Sequence, residues 1–190
     1  MATEPNTSRS RIASALSGFR REKSGATALE FALVAGPFLF ALLATMEVAM
    51  VLWSNEVLEK AVATASRKIY TGEFQSDSAN ATLTSSQLRT KLTNMICDDA
   101  SVLIKCTDIY VDVRDFSSFS GATAPNPVNG SKVFDASGFG YKPIAAKQIG
   151  LVTAAFEYKT FFPPIAMGTL ANGNRAIVAT AVFRTEPYSN

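Results

Sequence analysis

Few residues in this 190-residue sequence are able to do chemistry. The sequence contains no histidine, and it therefore lacks the commonest general base and the commonest metal ligand. Its two cysteines, Cys97 and Cys106, form neither a four-ligand zinc pattern nor a C-x-x-C redox motif. We therefore predict a protein that is not an enzyme and that has no catalytic residue, no metal site and no cofactor.

The two cysteines are suited to a disulfide. Cys97 and Cys106 close a loop of ten residues, and we expect them to pair if this part of the chain lies in an oxidising compartment. Closing the loop would stabilise the fold by about 2.7 kcal/mol through the entropy of the unfolded chain. Two free thiols are the alternative, whereas a catalytic thiol is not expected because no histidine can activate it.

Five aspartates cluster around the cysteines, at Asp98, Asp99, Asp108, Asp112 and Asp115. Carboxylates are the ligands that Ca²⁺ prefers, but their spacing does not match an EF-hand loop. Alternation along the chain places Asp108 and Asp112 on the exposed face of a predicted strand. The cluster therefore predicts a solvated acidic face.

Two glutamates, Glu30 and Glu47, lie in the most apolar part of the chain. No charge occurs from Phe31 to Met46, and beyond Glu47 the apolar run continues to Trp53. Residues 31–53 would form a helix about 35 Å long, which is enough to cross a hydrocarbon core of about 30 Å. Because "FALVAGPFLFALLATM" is apolar on every face, we predict a membrane span rather than a buried helix of a soluble domain.

The flanking charges predict the orientation of this span. Arg20, Arg21 and Lys23 precede it closely, so the positive-inside rule places the N-terminus in the cytoplasm. Glu47 then lies near the outer interface, about 24 Å along the helix from the start of the span. There it could reach the lipid headgroups or pair with a partner helix, and the sequence leaves both open. The basic head carries no interleaved set of stacking aromatic residues and does not suit a nucleic-acid groove.

The remaining elements predict an α+β fold. Helical periodicity continues through "NEVLEKAVATASRKIY" to a stop at Gly72, which gives one helix of about 45 residues. Pro37 within it permits a kink. A polar linker, "TGEFQSDSANATLT", precedes a short amphipathic helix, "SSQLRTKLTNMICDD". Alternating strands are predicted in "TDIYVDVRDF", "LVTAAFEYKTFF" and "AIVATAVFRT", with a long loop over 117–140.

These strands would form an antiparallel sheet, one face of which is covered by the end of the long helix. The connection "FFPPIAMGTLANG" (161–173) is unusually apolar. It would either pack under the sheet or form a contact patch for a partner or a membrane surface.

The order of features at the start of the chain resembles a type IV prepilin-like signal. A basic tail is followed by Gly25-Ala26, then Glu30-Phe31, and then the apolar span. More closely, "GATALEFALVAGPFLFALLATMEVAMVLWSNEVLEKAVATASRKI" resembles the TadE family of pseudopilins from Tad (Flp-type) pilus systems. The residues in family-like places are Glu30, Phe31, Pro37, Glu47, Ala65 and Arg67, and the terminal "FRTEPY" is also similar.

This resemblance implies cleavage by a prepilin peptidase between Gly25 and Ala26. Gly25 has no side chain, so an extended backbone at this point could enter a protease cleft. Cleavage would leave a charged amine on Ala26, one helical turn from Glu30. A carboxylate in lipid needs a cation, and the resemblance implies that Glu30 pairs with this amine, its own or a neighbour's, and sets the register between subunits.

The predicted organisation has three parts. Residues 1–25 form a basic cytoplasmic leader, 26–71 a TadE-like helix with its span at about 31–53, and 72–190 a pilin-like α+β domain in the periplasm. The chain would be a single-pass protein of a bacterial inner membrane, with incorporation into the pilus left open.

The function implied by the resemblance is that of a minor pseudopilin in Tad/Flp pilus assembly. Its partners would be the prepilin peptidase, other pseudopilins, the major pilin, the inner-membrane assembly platform and the lipid bilayer, with no nucleic acid. An uncleaved, membrane-tethered binding or sensor module is the alternative. The sequence leaves open TadE-type or TadF-type, tip subunit or priming factor, and methylation of the new N-terminus.

Overall fold

The computed structural model describes residues 24–162 and 170–188. Most of the predicted leader and residues 163–169 of the apolar connection lie outside the described residues. The chain divides into two compact units, residues 1–45 and 46–190. The boundary falls within the predicted helical region 26–71, so its last part belongs to the second unit.

A single helix, α1, covers Ser24–Tyr70 and is 47 residues long, with Pro37 inside it. Among the described residues, α1 is long enough and apolar enough to cross a membrane. Its most apolar stretch has a mean hydropathy of 1.9 and is only 6% buried. The long apolar helix predicted from the sequence is therefore confirmed.

In the first unit, the large apolar side chains of α1 are exposed all around the helix. Leu33 is 72% exposed and Phe31 is 75% exposed. Thr45 donates its hydroxyl to the carbonyl of Ala41 at 2.9 Å, so this polar side chain is satisfied within the helix. The other exposed apolar side chains are Leu29, Val34, Phe38, Leu39, Phe40, Leu42 and Leu43.

In the second unit, α1 buries one face in the core of the domain. The buried positions recur at three- and four-residue steps, as expected for one face of an α-helix. They are Glu47, Val51, Ser54, Leu58, Ala61, Val62, Ala65, Ser66 and Ile69. The helix ends where predicted, because Gly72 adopts the left-handed conformation with φ +80°, which glycine adopts without steric cost.

Three strands form an antiparallel sheet in the order β1-β2-β3. They are β1 (Tyr110–Phe116), β2 (Ile149–Tyr158) and β3 (Arg175–Arg184). Val113, Val152 and Ala181 are aligned across the sheet and pack on the same core as the buried face of α1. The predicted α+β class, with a helix over one face of the sheet, is confirmed.

The region predicted as a polar linker contributes to the core. It contains a short helix, α2 (Glu73–Ser76), followed by a 3-10 turn at Ser78–Asn80. Phe74 is buried, and the side-chain amide of Asn80, itself buried, donates to the carbonyl of Phe74 at 2.6 Å. A single aromatic residue in a polar context left no periodic signal, which is why the sequence did not reveal this packing.

Helix α3 (Ser85–Ala100) is the predicted amphipathic helix. Thr84 caps it in a capping box, where Gln87 accepts from the backbone N–H of Thr84 at 2.9 Å. Cys97, near the end of α3, forms a disulfide with Cys106, just before β1, and their Cα atoms are 5.3 Å apart. The predicted disulfide is confirmed.

Neither Asp108 nor Asp112 lies on an exposed strand face, and this prediction was wrong. Asp108 lies in a 3-10 turn, Cys106–Asp108, before β1 begins, and Asp112 lies in β1 but is buried. Its side chain is only 1% exposed. One carboxylate oxygen accepts from Nε of Arg114 at 2.8 Å, and the other accepts from the backbone N–H of Gly140 at 2.8 Å. The segment that follows β1 folds back against the sheet here, so a long-range contact buries a side chain that local alternation places in solvent.

The residues that follow β3 contact the end of α1 and the segment before β2. The backbone N–H of Glu186 donates to the carbonyl of Tyr70 at 2.9 Å, and the Tyr188 hydroxyl donates to the carbonyl of Ile144 at 2.9 Å. The Tyr188 ring packs directly over Gly72, where a Cβ atom would overlap it. Position 72 therefore requires glycine for two reasons: its left-handed backbone conformation and the close approach of the Tyr188 ring.

Candidate assembly site on the long helix

The predicted cleavage point lies in the first turn of α1. Gly25 is exposed and has open space around the position that a Cβ would occupy. The first turn of a helix has backbone N–H groups without partners inside the helix, so it opens at low cost. In the structure the helix begins at Ser24, so this turn would have to unwind for an extended backbone to enter a protease cleft.

Glu30 and Phe31 follow one turn later, and both are exposed on the helix surface. At a rise of about 1.5 Å per residue, Glu30 lies about 6 Å along the axis from Ala26. That spacing is short enough for a carboxylate and an N-terminal amine to interact on one helix face or across to a neighbouring helix. The pairing itself stays a prediction.

Glu47 lies in a different environment, since it is only 3% exposed. Its two carboxylate oxygens accept from the backbone N–H of Phe161, at 3.3 and 3.2 Å. The sequence left open the lipid headgroups or a partner helix as its contacts. In the structure the carboxylate faces its own chain, at a residue 114 positions away. Any role of Glu47 in assembly stays a prediction.

Tyr158, the last residue of β2, lies beside the same carboxylate. Burial, and secondly the negative charge of Glu47, raise the pKa of Tyr158 above its ordinary value. The buried hydroxyl closes no hydrogen bond of good geometry. Tyr158 and Phe161 thus form, with Glu47, a contact that we call the Glu47 junction.

Sequence reasoning did not identify Tyr158 or Phe161 as partners of Glu47. Tyr158 is buried at the end of β2. A buried carboxylate needs donors, but nothing local could show that a segment more than a hundred residues away supplies one. The one available signal was the apolar connection that begins at Phe161, the role of which the sequence left undecided.

The groups able to do chemistry are held in structural contacts. Cys97 and Cys106 are joined in the disulfide, and Asp112 is held by Arg114 and Gly140. Among the described residues, no group of three or more Cys, Asp or Glu side chains is placed to hold a metal ion. What the described chain does offer is an apolar helix surface in its first unit, with the exposed carboxylate of Glu30 on it.

These features define the class of protein: a long, apolar N-terminal helix that continues into a small α+β domain with a three-stranded antiparallel sheet. Within this class, residues 25–67 match the model of one protein family, described as "TadE-like protein". The match confirms the resemblance seen in the sequence and supports a protein associated with the Tad pilus. No curated protein and no solved structure matches the chain.

The matched range has a clear structural meaning. It begins at Gly25, in the first turn of α1, and ends at Arg67, in its last turn. It therefore includes the predicted cleavage point and both glutamates, but neither the sheet nor the disulfide. The match and the candidate membrane helix together fit a membrane-anchored protein.

Proposed function

We propose that this chain is a minor pseudopilin that acts in assembly of a Tad/Flp-type pilus. The observation that carries the proposal is the coincidence of the TadE-like match at 25–67 with a helix whose first half exposes apolar side chains all around. A helix of this kind requires either lipid or the helices of other subunits. A pseudopilin moves between these two environments, and the same surface serves both.

Processing is the second part of the proposal. A prepilin peptidase cuts between Gly25 and Ala26, which removes the basic leader and creates an N-terminal amine. The exposed position of Gly25 and its place in the first helical turn support access by a protease once this turn unwinds. The chain is then a substrate of the peptidase and performs no chemistry of its own.

Glu30 would set the register of assembly. After cleavage its carboxylate and the amine of Ala26 lie one turn apart, and an unpaired carboxylate in a hydrocarbon environment is costly. Pairing with the amine of a neighbouring subunit removes that cost at one axial offset between helices, because a displaced helix would leave both charges without partners. Partners are other pseudopilins, the major pilin and the inner-membrane platform.

Complementation of a deletion strain tests this function. The Glu30→Gln chain should be made and membrane-inserted at normal levels but should fail to restore pili, because the neutral amide leaves the charge of the Ala26 amine uncompensated. Glu56→Gln is the matched control, since Glu56 is an exposed carboxylate on the same helix and should restore pili fully. Normal piliation by Glu30→Gln, at normal protein levels, would contradict the proposed register.

A further inference from the structure

One end of the sheet carries two exposed aromatic side chains beside the Glu47 junction. Phe161 is 73% exposed and Phe162 is 36% exposed, and both follow the end of β2 after Lys159 and Thr160. Exposed phenylalanine in adjacent positions is unfavourable in water and typical of surfaces that contact an apolar phase. The end of the sheet formed by Tyr158 and Arg175 therefore differs from an ordinary solvated loop region.

The contact with Glu47 fixes where this aromatic pair lies along the helix. The backbone N–H of Phe161 donates to the carboxylate of Glu47, so the two residues are adjacent in space. Glu47 is at the boundary of the apolar stretch, because only Glu30 carries a charge between Thr27 and Met46. Those twenty residues span about 30 Å as a helix, which equals the thickness of a hydrocarbon core.

The neighbouring helix surface is also apolar. While one face of α1 is buried in the domain, its opposite face exposes Met46, Val48, Leu52 and Trp53. Tryptophan is enriched at the interface between the hydrocarbon core and water. If this part of α1 lies at that depth, then the residues held against Glu47 must lie there as well.

The charges at this end suit anionic headgroups. Lys159 is exposed, and Arg175 is partly exposed at the paired position of β3. The nearby Glu157 carboxylate accepts from the side-chain amides of Asn172 and Asn174, at 2.7 and 2.6 Å, and Glu47 is buried. Hydrogen bonds from neutral amides leave Glu157 negative, so the two cations exceed this one partly exposed carboxylate by a single charge, and the small positive excess favours a lipid surface that carries negative charge.

We propose that Phe161 and Phe162 insert into the membrane interface and that the Glu47 junction holds them at that depth, so that the domain is docked on the bilayer as well as tethered to it. The occupant of this aromatic surface is lipid. This inference goes beyond pilus assembly and does not depend on it, because a chain that keeps its leader would dock in the same way.

Tryptophan fluorescence of the full chain in vesicles tests the proposal. Trp53 is the only tryptophan, so Trp53→Phe combined with Phe161→Trp places a single reporter in the aromatic pair. The vesicles contain phosphatidylethanolamine and phosphatidylglycerol, with a set that carries bromine on the upper acyl carbons. Phe162→Trp in the same background is a second reporter, in case the first variant disturbs the Glu47 junction.

Phe119→Trp in the Trp53→Phe background is the matched control. Phe119 is also an exposed aromatic residue, but it follows β1 at the opposite end of the sheet, about 30 Å away along ten residues of β2. We expect bromine quenching of the 161 and 162 reporters to exceed that of the 119 reporter by at least about twofold, since interfacial side chains lie roughly 5–10 Å into the headgroup region. Aqueous iodide should show the reverse order.

Two results would overturn the proposal. Reporters at 161 and 162 that iodide reaches as readily as the one at 119, without bromine quenching, would place the aromatic pair in water. Reporters shielded from both quenchers, with shielding that grows as protein is concentrated in the bilayer, would show that a second copy of the chain covers the pair. Either result would leave the tests of Glu30 and of processing unaffected.

Discussion

The two halves of α1 contrast in how they satisfy their apolar side chains. The half in the first unit exposes leucine and phenylalanine on every side, whereas the half in the second unit buries one face against the sheet and α3. Helix propensity alone does not distinguish them, and the difference is in what surrounds the helix. The second half is stabilised by its own chain, while the first depends on lipid or on other subunits.

Glu30 and Glu47 repeat this contrast for charge. Glu30 is exposed on the first half, and Glu47 is buried on the second half against the backbone N–H of Phe161. One carboxylate has a partner within the folded chain, and the other is available to a charge that processing would create. The two glutamates in the apolar run therefore have different proposed roles: Glu47 in the fold of the domain and Glu30 in assembly.

The largest expected effect is on the free energy of unfolding, and it comes from truncating a leucine that packs in the core of the second half of α1. Leu58→Ala should destabilise the domain by about 2–5 kcal/mol, because Leu58 is fully buried and its truncation leaves a cavity. Leu33→Ala, the matched change on the exposed half, should alter the free energy of unfolding by less than about 0.5 kcal/mol. Urea denaturation of the full chain in detergent micelles measures both. Equal losses of unfolding free energy in the two variants would contradict the difference in packing between the two halves of α1.

A smaller effect is expected at the Glu47 junction. Glu47→Ala should cost about 1–3 kcal/mol, because the backbone N–H of Phe161 loses its acceptor. Glu47→Gln should cost less, since its amide oxygen still accepts one hydrogen bond. The same denaturation experiment measures the two variants, with Glu56→Ala as the exposed control. A neutral Glu47→Ala would show that the junction contributes nothing to the stability of the second half.

The smallest effect is a pH dependence within the second half. Burial raises the pKa of Tyr141 from 10.0 to about 12, with a smaller contribution from Tyr188. As pH rises, the Tyr141 hydroxyl therefore loses its proton in the unfolded chain at a lower pH than in the folded chain. The stability linked to Tyr141 is complete below about pH 10 and is lost as pH approaches 12. The loss in the free energy of unfolding is about 1 kcal/mol at pH 11.

Tyr141→Phe tests this sign. The variant should lose less stability than the unsubstituted chain between pH 9.5 and 11 (roughly the range over which the unfolded tyrosine ionises). Thermal unfolding at a series of pH values measures the difference. Parallel profiles for the two chains would mean that Tyr141 titrates alike in the folded and unfolded states.

The sequence was sufficient for features that depend on local pattern. The unbroken apolar run from Phe31 to Met46 predicted the long helix, Gly72 predicted its end, and alternation predicted three strands, all of which the structure confirms. The pairing of Cys97 with Cys106 was within reach because only a short loop separates them.

The features that were missed depend on contacts between distant segments. Asp112 alternates with valines, and only the return of the chain at Gly140 shows that it is buried. The donor for Glu47 comes from Phe161, after two strands have been formed. A one-dimensional pattern contains no information about which segment returns to which face, so neither contact could be predicted.

Identifying the mature N-terminus is the sharpest test of whether this chain is processed and assembled as a pseudopilin. The full chain would be expressed in a strain with an active prepilin peptidase, extracted from membranes and analysed by intact-mass and N-terminal peptide spectrometry, with Gly25→Val as a variant that should resist cleavage. We expect a chain that begins at Ala26, and a Gly25→Val chain that keeps the leader. An unsubstituted chain that retains residues 1–25 in that strain would contradict it.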